Sequence, residues 1–427
     1  MAKILLKNAE YLASDAVVKQ ADIAIEGTEI STIGNIGNDW QPDKIIDCTN
    51  KLVVPGFVNT HTHAAMTLFR SYADDMLLMD WLQNKIWPAE ANLTAEDVYW
   101  GTQLAIAEMI KSGTTTFADM YFFMPEVAQA VSDTGIRAVL SRGMAGVAPT
   151  AQQALSESEA FFQQYHRSAD GRITVMLGPH APYTCPPEYL RKVVELAQKL
   201  GAEIHIHLAE TAGEVEECKA KYGQTPIALM NELGVLDCGV LAAHCVHLSE
   251  EDIRIMKSKN VRVAHNPGSN MKLASGIAPL PEMLQAGLTV GLGTDGAASN
   301  NNLDMLEEIR LTALLHKVKT YDPLAIPAKT AIALATEMGA QAVGLAAITG
   351  KIAKGYKADI AIFDMNGLHW YPRHDRLSLL TYSAVSSDVD TVLIDGKIVL
   401  EGKRLTTIDE ERLKQEVASR ALRLVKA

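Results

Sequence analysis

Eight short β-branched runs, each ending in polar residues and followed by a helix-like stretch, predict an α/β chain built as a TIM-like (β/α)8 barrel. A small β-sandwich domain assembled from both chain ends is predicted beside it, because the same alternating strand texture occurs before and after the eight runs. The placement of histidines agrees: of twelve in the chain, eight fall at or near the run ends. Those are the positions from which a barrel of this kind projects its chemistry.

The N-terminal 55 residues alternate apolar and polar positions, as in Lys3-Ile4-Leu5-Leu6 and Asp22-Ile23-Ala24-Ile25, with a turn at Glu26-Gly27. They are expected to form the N-terminal portion of the sandwich (1–55). The barrel is expected over 56–349. Its eight strand runs are Val53–His63, Thr114–Met120, Ile136–Gly143, Ile173–His180, Glu203–Glu210, Val240–His247, Val261–Pro267 and Thr289–Gly296. Ala95–Lys111, Glu188–Leu200, Glu250–Lys259 and Leu280–Ala286 carry apolar residues at helical spacing between them. The strand texture resumes at Asp359–Phe363 and Val392–Lys397. Residues 350–427 are therefore expected to complete the sandwich, with a closing helix over Asp409–Lys426. The apolar segment Asp74–Trp87 after the first barrel strand reads first as plain core, with a lid that packs Met76, Leu78, Met79 and Trp81 on a substrate as the alternative, and Asn300-Asn301-Asn302 is expected as a helix cap.

Composition narrows the function classes. Hydrophobic residues make up 48% and charged residues 21%, enough apolar mass for a large core. A net charge of −12 disfavours a nucleic-acid groove. No apolar run approaches the ~20 residues that span a bilayer, and the N-terminus lacks the features of a signal peptide. The five scattered cysteines form no CxxC pair and are expected as buried free thiols. A cytoplasmic chain without membrane partners is expected, with a homo-oligomer left open.

The first run ends in His61-Thr62-His63. Residues two apart on a strand share a face, so both imidazoles point into the barrel and can chelate one cation. The fifth run adds His205, His207 and Glu210, the sixth adds His244 and His247, and the eighth ends on Asp295. Three histidines and one aspartate suit a borderline divalent cation, Zn²⁺ or, in its place, Fe²⁺.

The stretches PGFVNTHTH, GPHAPYTC, HIHLAET, AAHCVHL, HNPGSNMKL and GTDGAASNN together resemble the amidohydrolase superfamily, and within it the methylthioadenosine/S-adenosylhomocysteine deaminase group. The resemblance covers essentially the whole chain. It implies one metal held by His61, His63, His207 and Asp295, because the fourth run has no lysine to bridge a second. It implies Glu210, His244 and Asp295 as catalytic residues, and an adenine nucleoside as the small-molecule substrate. Asp295 would take the proton of the attacking water, His244 would orient that water, and Glu210 would protonate purine N1. Substrate contacts are implied at Glu90, Arg142, His180, His207 and Glu210: Glu90 for ribose hydroxyls, His180 for the nucleoside, Arg142 for a homocysteine carboxylate. The second arginine of that carboxylate subsite is missing, since 146–159 contains none. Arg167 and Arg172 are the nearest substitutes, and methylthioadenosine is the better supported substrate. His205 reads as packing, and His247 and His265 as supports around the site. Deamination of guanine or cytosine, or hydrolysis of an s-triazine, is the alternative within the same superfamily.

Overall fold

The computed structural model describes residues 2–14, 17–37 and 39–426. Eight parallel strands stand in chain order: Phe57–Thr62, Thr114–Tyr121, Arg137–Met144, Ile173–Pro179, Ile204–Leu208, Val240–His244, Arg262–His265 and Thr289–Leu292. The seam between the eighth strand and the first is closed just beyond the eighth. There the Asp295 amide donates to the His61 carbonyl at 2.9 Å, and Asn59 and Thr294 exchange two hydrogen bonds at 2.7 and 3.0 Å. The result is the predicted barrel.

Helices cover the strands where the sequence supplies both an apolar face and a start signal. Ala95–Lys111 opens with a capping box between Thr94 and Asp97, and Glu250–Ser258 with one between Ser249 and Asp252. Pro187–Leu200 stops at Gly201, whose φ of 64° is left-handed. The closing helix Glu410–Lys426 docks on the barrel through Arg420 and Arg423, which reach the buried Asp97.

A second sheet of nine strands joins both chain ends: Ile360–Asp364 runs antiparallel to Lys51–Pro55, which runs parallel to Lys3–Leu12. It has its own core, including Leu6, Ile23, Ile25, Val53, Ile360 and Leu393. Arg137, at the foot of the third barrel strand, ties the two sheets together. Its guanidinium contacts Asp359 at 2.9 and 3.2 Å and Asp395 at 3.4 Å, all three side chains being buried.

Two local expectations need correction. The run Val53–His63 is two strands, not one. Lys51–Pro55 belongs to the nine-stranded sheet and Phe57–Thr62 to the barrel, with the change at Pro55-Gly56. Proline lacks the N–H a central strand needs, and a Cβ at Gly56 would lie 2.1 Å from the Thr115 side chain. The asparagine run does not cap the next helix. Asp304 does, accepting from Leu306 N at 2.9 Å, while Asn300 braces Thr294 O and Glu308.

Candidate metal centre and active site

Every donor expected at the metal lies at the carboxyl end of a barrel strand. His61 and His63 come from the first strand, His207 from the fifth, and Asp295 just beyond the eighth. Asp295 Oδ1 stands 3.3 Å from His61 Nε2 and 3.3 Å from His63 Nε2, and His63 Nε2 lies 3.2 Å from His207 Nε2. Donors of a tetrahedral zinc site with bonds of about 2.0–2.1 Å stand roughly 3.3–3.4 Å apart. The observed spacing matches.

Hydrogen bonding on the far side of each ring shows that these atoms are presented as lone pairs. His63 Nδ1 donates to the Met120 carbonyl at 2.6 Å and His207 Nδ1 to the His180 carbonyl at 2.7 Å. With Nδ1 of each ring engaged in this way, the two Nε2 atoms are the positions left to bind a cation, and they stand 3.2 Å apart. His61 Nε2 and Asp295 Oδ1 are buried with no hydrogen-bond partner. Four converging, unsatisfied donors of nitrogen and oxygen type fit one divalent cation.

The supports of this cage come from side chains distant in sequence. Asp295 Oδ2 accepts from Ser269 Oγ at 2.7 Å and Ser299 Oγ at 2.8 Å, which turns Oδ1 inward. Burial opposes its charge, but His61 and His63 outweigh that and hold it as a carboxylate. His205 Nε2 lies 2.9 Å from His61 Nδ1, and its own Nδ1 faces Ser141 Oγ at 3.5 Å. His205 is thus a support for a metal ligand as well as a buried ring. Asp119 accepts from Thr62 Oγ1 and Ala64 N, both at 2.7 Å, fixing the strand end that carries His63.

Beside the cage, His244 Nδ1 is 2.9 Å from Asn270 Oδ1, to which it donates, so Nε2 faces the cleft. Glu210 Oε2 lies 3.8 Å from that Nε2. Burial raises the pKa of Glu210, and it disfavours the charged form of His244, which Glu210 and Asp295 more than offset. Glu214 takes the Ala209 and Glu210 amides at 2.8 Å each, setting the turn on which Glu210 projects. Ala209, His244 and Asp295 have φ of 51°, 71° and 63°. Left-handed non-glycine residues at three strand ends are local strain held by the surrounding hydrogen bonds.

A cleft opens above these groups. His63, His207, Glu210, His244 and Asp295 line its floor, and Glu90, His180, Tyr183 and Thr184 its sides. The lid segment supplies Leu78, Trp81, Leu82 and Trp87, while Met79 of the same segment is 40% exposed and outside the lining. Glu90 accepts the Tyr121 hydroxyl at 2.6 Å, and burial pushes its pKa up to about 7. His180 is fixed by Thr184 Oγ1 at 2.9 Å, and burial with the surrounding imidazoles keeps it neutral.

Arg142 is the one expected substrate contact that does not line the cleft, because its guanidinium is turned onto Glu157 at 2.6 and 3.0 Å. Arg167 and Arg172 precede the fourth strand and so sit at the opposite end of the barrel from the donors. Ser269, Ser299, Asn270, Ser141 and Glu214 were not singled out by sequence reasoning. Ser269 and Asn270 lie within HNPGSNMKL and Ser299 within GTDGAASNN, so the motifs held the only signal for them. His247 Nε2 donates to the Ser275 carbonyl at 2.7 Å, and His265 pairs with His316 at 3.2 Å.

The amidohydrolase family model matches residues 52–399. A 5-methylthioadenosine/S-adenosylhomocysteine deaminase of Pelotomaculum thermopropionicum is 56% identical, covering 100% of this chain and 99% of that protein. A protein of the same name from Dictyoglomus thermophilum is 52% identical over 99% of each chain. Among solved structures, an adenosine deaminase from Xanthomonas campestris with bound zinc superposes with a TM-score of 0.96 at 34% identity, over 100% of this chain and 99% of that one. Atrazine chlorohydrolase from Arthrobacter aurescens, complexed with zinc, shares the fold at a TM-score of 0.91 and 24% identity, over 98% of this chain and 100% of that one. Full-length relatives at this identity and a family match across the barrel place the chain: it belongs to the amidohydrolase family.

Proposed function

We propose that the chain is a hydrolytic deaminase of adenine nucleosides, acting on 5′-methylthioadenosine, S-adenosylhomocysteine or both and releasing ammonia. The observation that carries this reading is the convergence of His61, His63 and Asp295, with His207 Nε2 3.2 Å from His63 Nε2, next to Glu210 and His244 of the cleft lining. The deaminase names of the relatives that are 52–56% identical supply the substrate class.

His61, His63, His207 and Asp295 would hold a divalent cation, Zn²⁺ by the chemistry of the donors, which would supply a water acidified toward neutrality. The rest is the work of the chain. Asp295, anchored through Oδ2 by Ser269 and Ser299, receives the water's proton. His244, its Nδ1–H fixed on Asn270, presents Nε2 to orient the attacking oxygen toward purine C6. Glu210 carries the proton for N1, which becomes more basic as C6 turns tetrahedral; burial favours its protonated form. Glu90 accepts hydrogen bonds from the ribose hydroxyls, and His180 contacts the nucleoside from the carboxyl end of the fourth strand. The lid residues Leu78, Trp81, Leu82 and Trp87 exclude water from the base. Residues 56–349 form the catalytic barrel, with 1–55 and 350–427 as its frame.

No helix among the described residues is long and apolar enough to cross a membrane. Five free thiols suit a reducing compartment, and we place the enzyme in the cytoplasm. Ammonia release from a substrate panel tests the reading. Release from 6-aminopurine nucleosides, with none from guanine, cytosine or melamine, is expected. Release from a free base or a triazine alone overturns the substrate while leaving the metal chemistry intact.

A further inference from the structure

The cleft carries carboxyl groups at its chemical end and apolar side chains at its lid. Glu90, Glu210 and Asp295 are its carboxylates, and no lysine or arginine lines it among the described residues. The cation nearest in sequence to a lining residue on the third strand is Arg142, since Gly143, Met144 and Ala145 all line the cleft. Each of its three guanidinium nitrogens is engaged. Nε and Nη2 donate to Glu157 Oε2 at 3.0 and 2.6 Å, and Nη1 donates to the Gly143 carbonyl. Glu157, on the following helix Ala151–Tyr165, is itself fixed: its other oxygen accepts from Gln153 Nε2 at 2.7 Å. The pair is partly buried on the arginine side, with exposures of 16% for Arg142 and 44% for Glu157.

We propose that the cleft selects adenine nucleosides whose 5′ substituent is apolar and uncharged, and that Glu157 sets this choice by holding the Arg142 guanidinium away from the substrate. The proposal rests on the deaminase reading above. A methylthio or longer alkylthio group finds aromatic and aliphatic wall at Leu78, Trp81, Leu82 and Met144. A homocysteine tail ends in a carboxylate and an ammonium, and the lining of the cleft offers that carboxylate no lysine or arginine. An anion placed there either stays in water, losing contact with the wall, or is desolvated without a partner. Glu157 is therefore a specificity-determining residue that touches no substrate.

The test compares kcat/KM for three nucleosides on the zinc-loaded full chain: 5′-methylthioadenosine, 5′-butylthioadenosine and S-adenosylhomocysteine. The butyl compound separates tail length from tail charge. The wild type is expected to use both thioethers within about threefold of one another, and the homocysteine compound at least about tenfold less well. Glu157→Gln removes the competing charge, so it should raise kcat/KM for S-adenosylhomocysteine about tenfold and move methylthioadenosine less than about twofold. Adding Arg142→Met to that variant should erase the gain. Equal wild-type use of the methylthio and homocysteine compounds overturns the proposal, with or without a folded variant. So does a gain in Glu157→Gln that survives loss of Arg142. If no 6-aminopurine nucleoside releases ammonia, the deaminase reading itself has failed, which is a distinct result.

Discussion

Replacing His205 with phenylalanine should weaken zinc binding although His205 contributes no atom to the cage. The two rings are fully buried and meet at 2.9 Å through His205 Nε2 and His61 Nδ1. When His61 Nε2 serves a cation, its proton must sit on Nδ1, and His205 Nε2 is the acceptor for it. Without metal the proton can move to His61 Nε2, which faces Asp295 Oδ1 at 3.3 Å. The loss of the acceptor therefore falls mainly on the metal-bound form. A buried N–H left unsatisfied costs about 1–3 kcal/mol, equivalent to roughly 5–150-fold in affinity. That agrees with the ~10–100-fold typical of lost supports around metal ligands. Competition with a chromophoric chelator measures the zinc Kd, and urea denaturation of the metal-free chain controls for folding. His205→Gln, whose amide oxygen can accept from Nδ1–H, should recover part of the loss. A His205→Phe chain that binds zinc within about twofold of wild type and is equally stable would refute the reasoning.

Other perturbations have equally specific outcomes. Glu210→Gln should lower turnover by about 10²–10⁴-fold while retaining nucleoside binding by equilibrium dialysis. Glu90 has its pKa raised to about 7, so its acceptor form is lost as pH falls through that value and nucleoside KM should climb below it. Glu90→Gln should flatten that limb of the pH profile. Tyr121→Phe should shift it to higher pH, because the lost hydrogen bond is one that lowers the Glu90 pKa. Arg137→Met strands the buried Asp359 and Asp395 and should destabilise the chain by about 3–5 kcal/mol. Its denaturation midpoint should fall while zinc affinity holds.

What the sequence made legible follows from periodicity. A strand alternates faces, so His61-Thr62-His63 declares two inward imidazoles, and the recurrence of strand and helix declares a parallel barrel. The helix Ala95–Lys111 and the strand starting at Thr114 fall where the pattern puts them. The strand run reads through Pro55-Gly56, although the expected sandwich-to-barrel boundary falls there, because both halves are apolar strands of the same texture and only the pairing partners differ. Hydrogen-bond supports were hidden for a different reason. Ser269 reaches one Asp295 oxygen from the short helix Pro267–Lys272 and Ser299 reaches it from a turn, while Ser141 meets His205 from another barrel strand. A single hydroxyl carries no period of its own, and its partner is chosen by tertiary structure alone. The turn of Arg142 onto Glu157 is of the same kind: both charges are visible in sequence, but not which way the guanidinium points.

The most direct test of the account is a zinc titration of the metal-free chain, following ammonia release from 5′-methylthioadenosine. One cage of four donors predicts no turnover without metal, a linear rise, and saturation at about one equivalent. Turnover in the metal-free chain, a requirement for two equivalents, or a zinc-loaded chain that leaves the nucleoside intact would contradict it.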